Sequence, residues 1–505
     1  MTPPYPKYHL AEFPHQFRVR YPGKTIMRYY NKHNERWEKL NGEQVANLCL
    51  SAAKGLAYLQ IQTGDRIAIY SPNRVGCITT ELGIFMMRAV SVPLYATSTP
   101  DQVQFIVEDA GVETMFVGGQ FQYNNAYEVQ QRGGSLRRLI IFDNEVVLAP
   151  GDTTSMYYDE FVRRGDSVSY ENKANVTASQ ALATDLAVII YTSGTTGKSK
   201  GVMLHHSNFI EQLYAHQLKY PFITNRDVSM CFLPLNHILE KAWSYLCLSM
   251  GCQVAVLSDP KRILEALPMV RPSMMGNVPR FWEKVYIGVQ DKINRSPKPL
   301  RYVLRHAIQV GDRYFFDFVN EGKKAPLFLK LLYKLYDKTL FAKVKKAIGI
   351  QRGRFFPTAG ASVSPEILRF LRSINVPMCV GYGLSETTAT VSSQPMVGFD
   401  LESIGTIMPA LEVKIDPETS EILIKGSTVT TGYYNNPEAN AEAFTEDGFF
   451  RTGDAGRMEN GVLYFTERIK DLFKTANGKY IAPQMLEGLL TVDPLFEQVA
   501  IIADG

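Results

Sequence analysis

Residues 191–204 read YTSGTTGKSKGVML. Ser, Thr and Gly crowd together ahead of lysine, directly after an apolar segment, 186–191, that reads as a buried strand. Glycine lets backbone approach an anion closely, hydroxyls donate hydrogen bonds to phosphate oxygens, and lysine adds positive charge. Phosphate binding is the chemistry this composition suits. It is not a Walker A loop, although Gly197-Lys198-Ser199 imitates the end of one. That motif requires a glycine where Thr192 stands. A turn of this composition also serves as a plain flexible connection, so the rest of the chain must decide between the two.

The segments that would hold this loop alternate between strand and helix. Residues 44–59 carry helical periodicity, 66–70 read as a strand, 79–88 as a helix, 90–94 as a strand, 100–109 as a helix and 114–117 as a strand. This rhythm predicts an α/β fold with largely parallel sheets and ligands at strand ends. Beyond the loop, 201–204 reads as a strand, and Asn208 followed by Glu211 resembles a capping box opening a helix. From Ile404 the texture changes to short strands and Gly-containing turns, at 421–425, 428–434 and 461–465. A smaller β-rich subdomain over about 404–467 is expected there.

The chain has 505 residues, 45% hydrophobic and 21% charged, long enough for several globular domains. No apolar run reaches membrane-spanning length; the best, 245–257, is short and contains Gly251 and Gln253. The start lacks a basic head followed by an apolar stretch, so no secretory signal is expected. Cysteines 49, 77, 231, 247, 252 and 379 form no Cys-x-x-Cys pair, which argues against a disulfide framework or zinc site and for a reducing cytoplasm.

Charge is spread unevenly. Residues 284–354 hold 17 Lys/Arg against 5 Asp/Glu in a chain whose formal total is +4, so the remainder is net acidic. Aromatic residues interleave the basic ones, and 327–348 places apolar residues at helical spacing with lysines between them. The pattern fits a solvated face on packed amphipathic helices, or a patch for a membrane surface or an anionic ligand. No nucleic-acid-binding motif accompanies it. His205 and His206 have no acidic partner at useful spacing and read as surface or strand-end residues, and Trp243 and Trp282 read as core.

Four further segments bear on the loop: FPTAGASV at 356–363, GYGLSETT at 381–388, FRTGD at 450–454 and ERIKDLFK at 467–474. In this order and spacing, together with YTSGTTGKSKG, they closely resemble the adenylate-forming superfamily of acyl-CoA synthetases, adenylation domains and luciferases. The resemblance runs through nearly the whole chain. LPLNHILE at 233–240, NVPRFWEK at 277–284 and the basic helical insertion at about 284–354 resemble the long-chain fatty-acid–CoA ligase branch.

The resemblance implies a two-step reaction using ATP, Mg²⁺ and coenzyme A. A fatty-acid carboxylate attacks the α-phosphate of ATP and expels pyrophosphate; the coenzyme A thiolate then attacks the acyl carbonyl and expels AMP. Both steps gather negative charge, so positioning and electrostatic stabilisation should dominate. By the same resemblance Thr192, Ser193, Gly194, Thr195, Thr196, Gly197 and Lys200 form the phosphate grip, and Glu386 with the Thr192 hydroxyl holds the metal. Ser385 donates to the α-phosphate, Tyr382 stacks on adenine, and Gly360, Ala361, Gly381 and Gly383 admit the nucleotide closely. Asp454 accepts from the ribose hydroxyls and Arg468 reaches the same sugar. Lys470 is the hinge, Lys474 a further nucleotide contact, and His237 lies beside the acyl carboxylate. Lys200, His237, Glu386 and Lys470 are the expected catalytic residues.

The same resemblance divides the chain into an AMP-binding domain over 1–467 and a hinge with the start of an α+β C-terminal domain over 468–505. That C-terminal domain normally runs about one hundred residues, whereas about 35 follow Lys470 here. A truncated form that binds ATP and adenylates weakly is therefore expected. A relative that loads a carrier protein, and a non-catalytic acyl- or nucleotide-binding protein, are the alternatives. Acyl chain length and oligomeric state are not legible, and association with the inner face of a membrane is a hypothesis resting on the basic segment.

Overall fold

Arg66–Tyr70 lies at the middle of a seven-stranded sheet in the computed structural model, between Thr114–Val117 and Val90–Leu94. All three are buried along nearly their whole length, as parallel strands covered on both faces must be. The order continues through Arg138–Ile141 and Ser155–Tyr157 on one flank and through Leu186–Thr192 and Lys200–His205 on the other. Neighbours are parallel except at that last pair, which runs antiparallel with Thr192 opposite Lys200. The structure describes residues 9–192 and 199–469, the short strands Phe473–Lys474 and Tyr480–Ile481, and residues 499 and 501.

Val228–Cys231, Gln253–Val256 and Thr25–Asn31 make a second parallel set, closed by antiparallel Arg36–Asn41. Met274 bridges Ser229 on one side and Phe355 on the other, and Asn277 bridges Thr358. Through these contacts the set adjoins an eight-stranded sheet that begins with the parallel pair Phe356–Thr358 and Met378–Tyr382. The pair hands over to antiparallel strands Ser392–Ser393, Gly405–Ile407, Val462–Arg468, Phe450–Glu459, Glu421–Gly426 and Leu411–Ile415.

The basic segment is helical, as its periodicity predicts: Pro279–Arg295, Lys298–Tyr314, Leu327–Tyr336 and Ala342–Ile348. It packs against Pro365–Ser373, where Arg369 forks onto Asp312 at 2.7 and 3.0 Å and Arg372 lies 4.4 Å over the Phe315 ring. All six cysteines are free and buried.

Several expectations are corrected. The helix read over 79–88 spans Val75–Met86. The helix after Lys200–His205 begins at His206, so Asn208 is its third residue and not its cap. Asn208 accepts from the His205 N–H at 2.8 Å and donates to the carbonyls of Ser427 and Val429 at 2.8 and 3.0 Å. His206 is fully buried and accepts from the Leu10 N–H at 3.2 Å; burial pushes its pKa down to about 3. Residues 428–434 do not form a strand but a loop with one bridge, Val202 to Tyr433. Its polar groups are taken by side-chain hydrogen bonds to distant segments that compete with a ladder: Thr388 Oγ1 donates to the Thr428 carbonyl and Thr430 Oγ1 to that of Met203, both at 2.6 Å.

Candidate active site

Three parallel strands deliver residues to one place by their carboxyl ends. Leu186–Thr192 ends at Thr192, Phe356–Thr358 runs on into Ala359 and Gly360, and Met378–Tyr382 ends at Tyr382 and turns through Gly383 into a short 3-10 turn, Ser385–Thr387. A cavity of about 520 Å³ opens there. Thr192, Lys200, His237, Gly360, Gly381, Tyr382, Gly383, Ser385, Glu386, Asp454 and Arg468 all line it, although 276 positions separate the first from the last. Ala361 does not. Ser193, Gly194, Thr195, Thr196, Gly197, Lys470 and the side chain of Lys474 lie outside the described residues.

The Gly383 turn is tight. A Cβ there would stand 1.3 Å from the Ala389 carbonyl oxygen, so only glycine fits. Gly360 takes a positive φ of 93°. Thr388 completes the turn in the left-handed region at φ 53°, held by its hydroxyl bond to Thr428.

Glu386 is enclosed. Its Oε1 accepts from the Tyr433 hydroxyl at 2.9 Å, and the backbone N–H of Thr430 donates to its carbonyl at 2.6 Å. Burial raises its pKa; the Tyr433 bond and the charges of Lys200 and Arg468 pull the other way. The Lys200 ammonium sits 5.0 Å from the centroid of the Tyr433 ring, a cation–π contact. One tyrosine thus touches both the carboxylate and the cation.

Asp454 accepts from the Tyr382 hydroxyl at 2.6 Å, and Arg468 Nε lies 3.8 Å from its other oxygen. Burial raises the Asp454 pKa, and the nearby charge of Glu386 adds to it. The start of the strand Phe450–Glu459 is pinned by Glu421, which accepts from the Gly453 N–H at 2.8 Å and from Arg451 at 3.2 Å. The carboxylates of Glu386, Glu421, Glu442 and Asp454 and the cations Lys200, Arg451 and Arg468 therefore line one cavity, an arrangement that can hold a polyanion on one side and hydroxyl donors on the other.

Another part of the cavity wall is different in kind. His237 caps the helix Ile238–Ser249, its Nδ1 accepting from the Leu239 N–H at 3.2 Å. From that helix Ile238, Leu239, Ala242 and Trp243 line the cavity, joined by His216 and Tyr220. Trp243 is also core, as expected, donating Nε1–H to Ser229 at 2.9 Å; Trp282 is wholly core and donates to Thr358 at 2.9 Å. Burial pushes the His216 pKa down to about 4, which keeps the ring neutral near pH 7. Its Nδ1 faces the Gln212 carbonyl at 2.7 Å and must carry the hydrogen, so Nε2 accepts from Thr390 Oγ1 at 3.1 Å.

Sequence reasoning missed Tyr433, Arg451, Glu421 and His216. The first three come from strands and a loop whose register alone aims them inward; His216 sits mid-helix with no motif around it.

Comparison with known proteins agrees with this geometry. Residues 15–434 match the family described as AMP-binding enzyme. The long-chain-fatty-acid–CoA ligase FadD15 of Mycobacterium bovis is 31% identical over 473 residues, covering 93% of this chain and 76% of that protein. The human long-chain-fatty-acid–CoA ligase ACSBG1 is 28% identical over 488 residues, covering 94% and 66%. Among solved structures, the inhibitor-bound N-terminal domain of FACL13 from Mycobacterium tuberculosis matches with a TM-score of 0.68 at 20% identity, covering 92% of this chain and 100% of that one. The anthranilate CoA ligase AuaEII, in complex with anthranoyl-AMP, matches with a TM-score of 0.75 at 14% identity, covering 99% and 85%.

Proposed function

Because this chain belongs to the AMP-binding enzyme family, we propose that its cavity activates a long-chain fatty acid with ATP and passes the acyl group to coenzyme A. The carrying observation is that residues from five separated motifs meet in one cavity that is also lined by apolar side chains. In the first half-reaction a carboxylate oxygen bonds to the α-phosphorus and the bond to pyrophosphate breaks. In the second, the coenzyme A sulfur bonds to the acyl carbon and AMP leaves.

Lys200 and Arg468 offset the charge of the triphosphate, Asp454 accepts from the ribose hydroxyls, and Tyr382 presents its ring to adenine. Ser385 stands at the start of a turn from which its hydroxyl can donate to the α-phosphate. The apolar side chains Ile238, Leu239, Ala242 and Trp243 exclude water around the acyl group, and His237, which caps their helix, lines the same cavity.

The Glu386 carboxylate and the Thr192 hydroxyl are hard oxygen donors on the same cavity, a set that suits Mg²⁺, which keeps waters and binds largely through substrate phosphates. When bound, the ion would neutralise developing charge on the phosphate oxygens. Free, buried cysteines fit a reducing compartment such as the cytoplasm.

The test is AMP release and acyl-CoA formation across a series from short- to long-chain fatty acids. Long-chain acids are expected to give the highest kcat/KM. A preference for short or aromatic acids, or ATP binding without AMP release from any fatty acid, overturns the reading.

A further inference from the structure

Most exposed apolar side chains of this protein stand singly, the ordinary condition of a folded surface. The helix Leu327–Tyr336 is different. Leu327, Leu331 and Leu335 recur one turn apart and are 72%, 56% and 56% exposed, and Phe328 beside them is 77% exposed. At about 100° per residue these four share one arc of the helix. The opposite arc is already packed: Tyr333 is buried and stacks on Tyr314 at 4.1 Å, and the Tyr336 hydroxyl meets His306 Nδ1 at 3.0 Å. The helix is apolar on two faces, and only one is covered.

Charge borders the open face. Lys330 and Lys334, both exposed and one turn apart, border one edge of the leucine arc, within a segment carrying 17 Lys/Arg against 5 Asp/Glu. Protein–protein interfaces deplete lysine at their centres. Lysines beside bulky apolar side chains suit a bilayer, because the aliphatic stem lies along apolar surface while the ammonium reaches the headgroups. Among the described residues no helix is long and apolar enough to cross a membrane, so the contact available to this helix is with the membrane surface.

We propose that this face docks on an anionic lipid bilayer. Leu327, Phe328, Leu331 and Leu335 enter the boundary between headgroups and acyl chains, and Lys330 and Lys334 contact lipid phosphates. Each lysine near an anionic surface multiplies partitioning roughly fivefold, and one such patch gives reversible binding. Nothing in this docking depends on the catalytic reading, since its readout is binding alone.

The experiment is co-sedimentation of the full chain with vesicles of phosphatidylcholine alone and of phosphatidylcholine mixed with phosphatidylglycerol, at low and high salt. Binding to the anionic vesicles should exceed binding to the neutral ones and weaken with salt. Phe328→Ser with Leu331→Ser, and separately Lys330→Glu with Lys334→Glu, should each lower binding about tenfold or more. Thermal unfolding of both variants should match the parent, because the positions are exposed. Absent vesicle binding, equal binding to both vesicle types, or unchanged binding in both variants overturns the proposal. So does loss of a dimer in sedimentation velocity with vesicle binding intact, which would make the face an interface between copies.

Discussion

The hydroxyl of Tyr433 donates to Oε1 of Glu386 at 2.9 Å, joining a loop residue to the carboxylate of the Gly381–Thr388 motif. Lys200 rests on the same ring, so one side chain touches both an acid and a cation of the cavity. This pairing opposes the rise that burial imposes on the Glu386 pKa.

Removing that donor with Tyr433→Phe should move the acid limb of the rate profile to higher pH. Burial already raises the Glu386 pKa, and a hydrogen bond to the charged form opposes the rise. Without it the carboxyl is protonated at higher pH. Hydrogen bonds to charged groups contribute about 1.5–3 kcal/mol, so kcat/KM should fall roughly tenfold or more. Pyrophosphate release measured against pH tests this; an unmoved limb would show that Tyr433 does not tune the carboxylate.

Asp454→Asn should weaken nucleotide binding by about tenfold or more, since Arg468 loses its counter-charge and Tyr382 loses an ionised acceptor. Calorimetric titration with ATP reads it directly. Affinity equal to the parent would remove Asp454 from the sugar site.

Gly383→Ala should damage the site more than its one methyl suggests. The added carbon would collide with the Ala389 carbonyl, which belongs to the same rigid turn. Loss of roughly 2 kcal/mol or more is expected, together with ATP binding, in thermal unfolding and titration. A stable variant with parental affinity would mean the turn can open cheaply.

Glu240→Gln should flatten the dependence of stability on pH. Buried Glu240 accepts from the Leu233 N–H at 3.1 Å and from Ser244 at 2.9 Å, and burial pushes its pKa up to about 8 from an ordinary 4.5. Between those values the folded chain keeps a proton that the unfolded chain releases. Stability therefore falls as pH rises through this window, by roughly 1 kcal/mol per unit. Urea midpoints of variant and parent should diverge in the variant's favour from about pH 5 to about pH 8. Parallel curves would show that Glu240 is ionised in the fold.

How much of this was legible follows from where the information lies. The strands Arg66–Tyr70, Val90–Leu94 and Thr114–Val117 were readable because each is a short apolar run between breakers. Residues 428–434 misled: β-branched and aromatic residues favour a strand, but their hydroxyls and carbonyls are bound to Thr388 and Met203, which no local pattern announces. The Asn208 reading failed for a related reason, since its amide serves carbonyls 219 and 221 positions away. Glu386, Asp454 and Lys200 were found because motifs surround them. Tyr433 was not, because only the fold sets it beside Glu386.

Lys200–His205 is the last strand of its sheet, and its outer side is occupied by the chain itself. The Met203 N–H donates to the Gly432 carbonyl at 3.1 Å and the Tyr434 N–H to that of Gly201 at 2.7 Å. Unpaired strand edges template aggregation, and here the loop that brings Tyr433 to Glu386 also shuts one. Solubility and catalysis consequently share a fastening: a lesion that frees this loop would disable the site and, in the same motion, leave a sticky border along which molecules can stack.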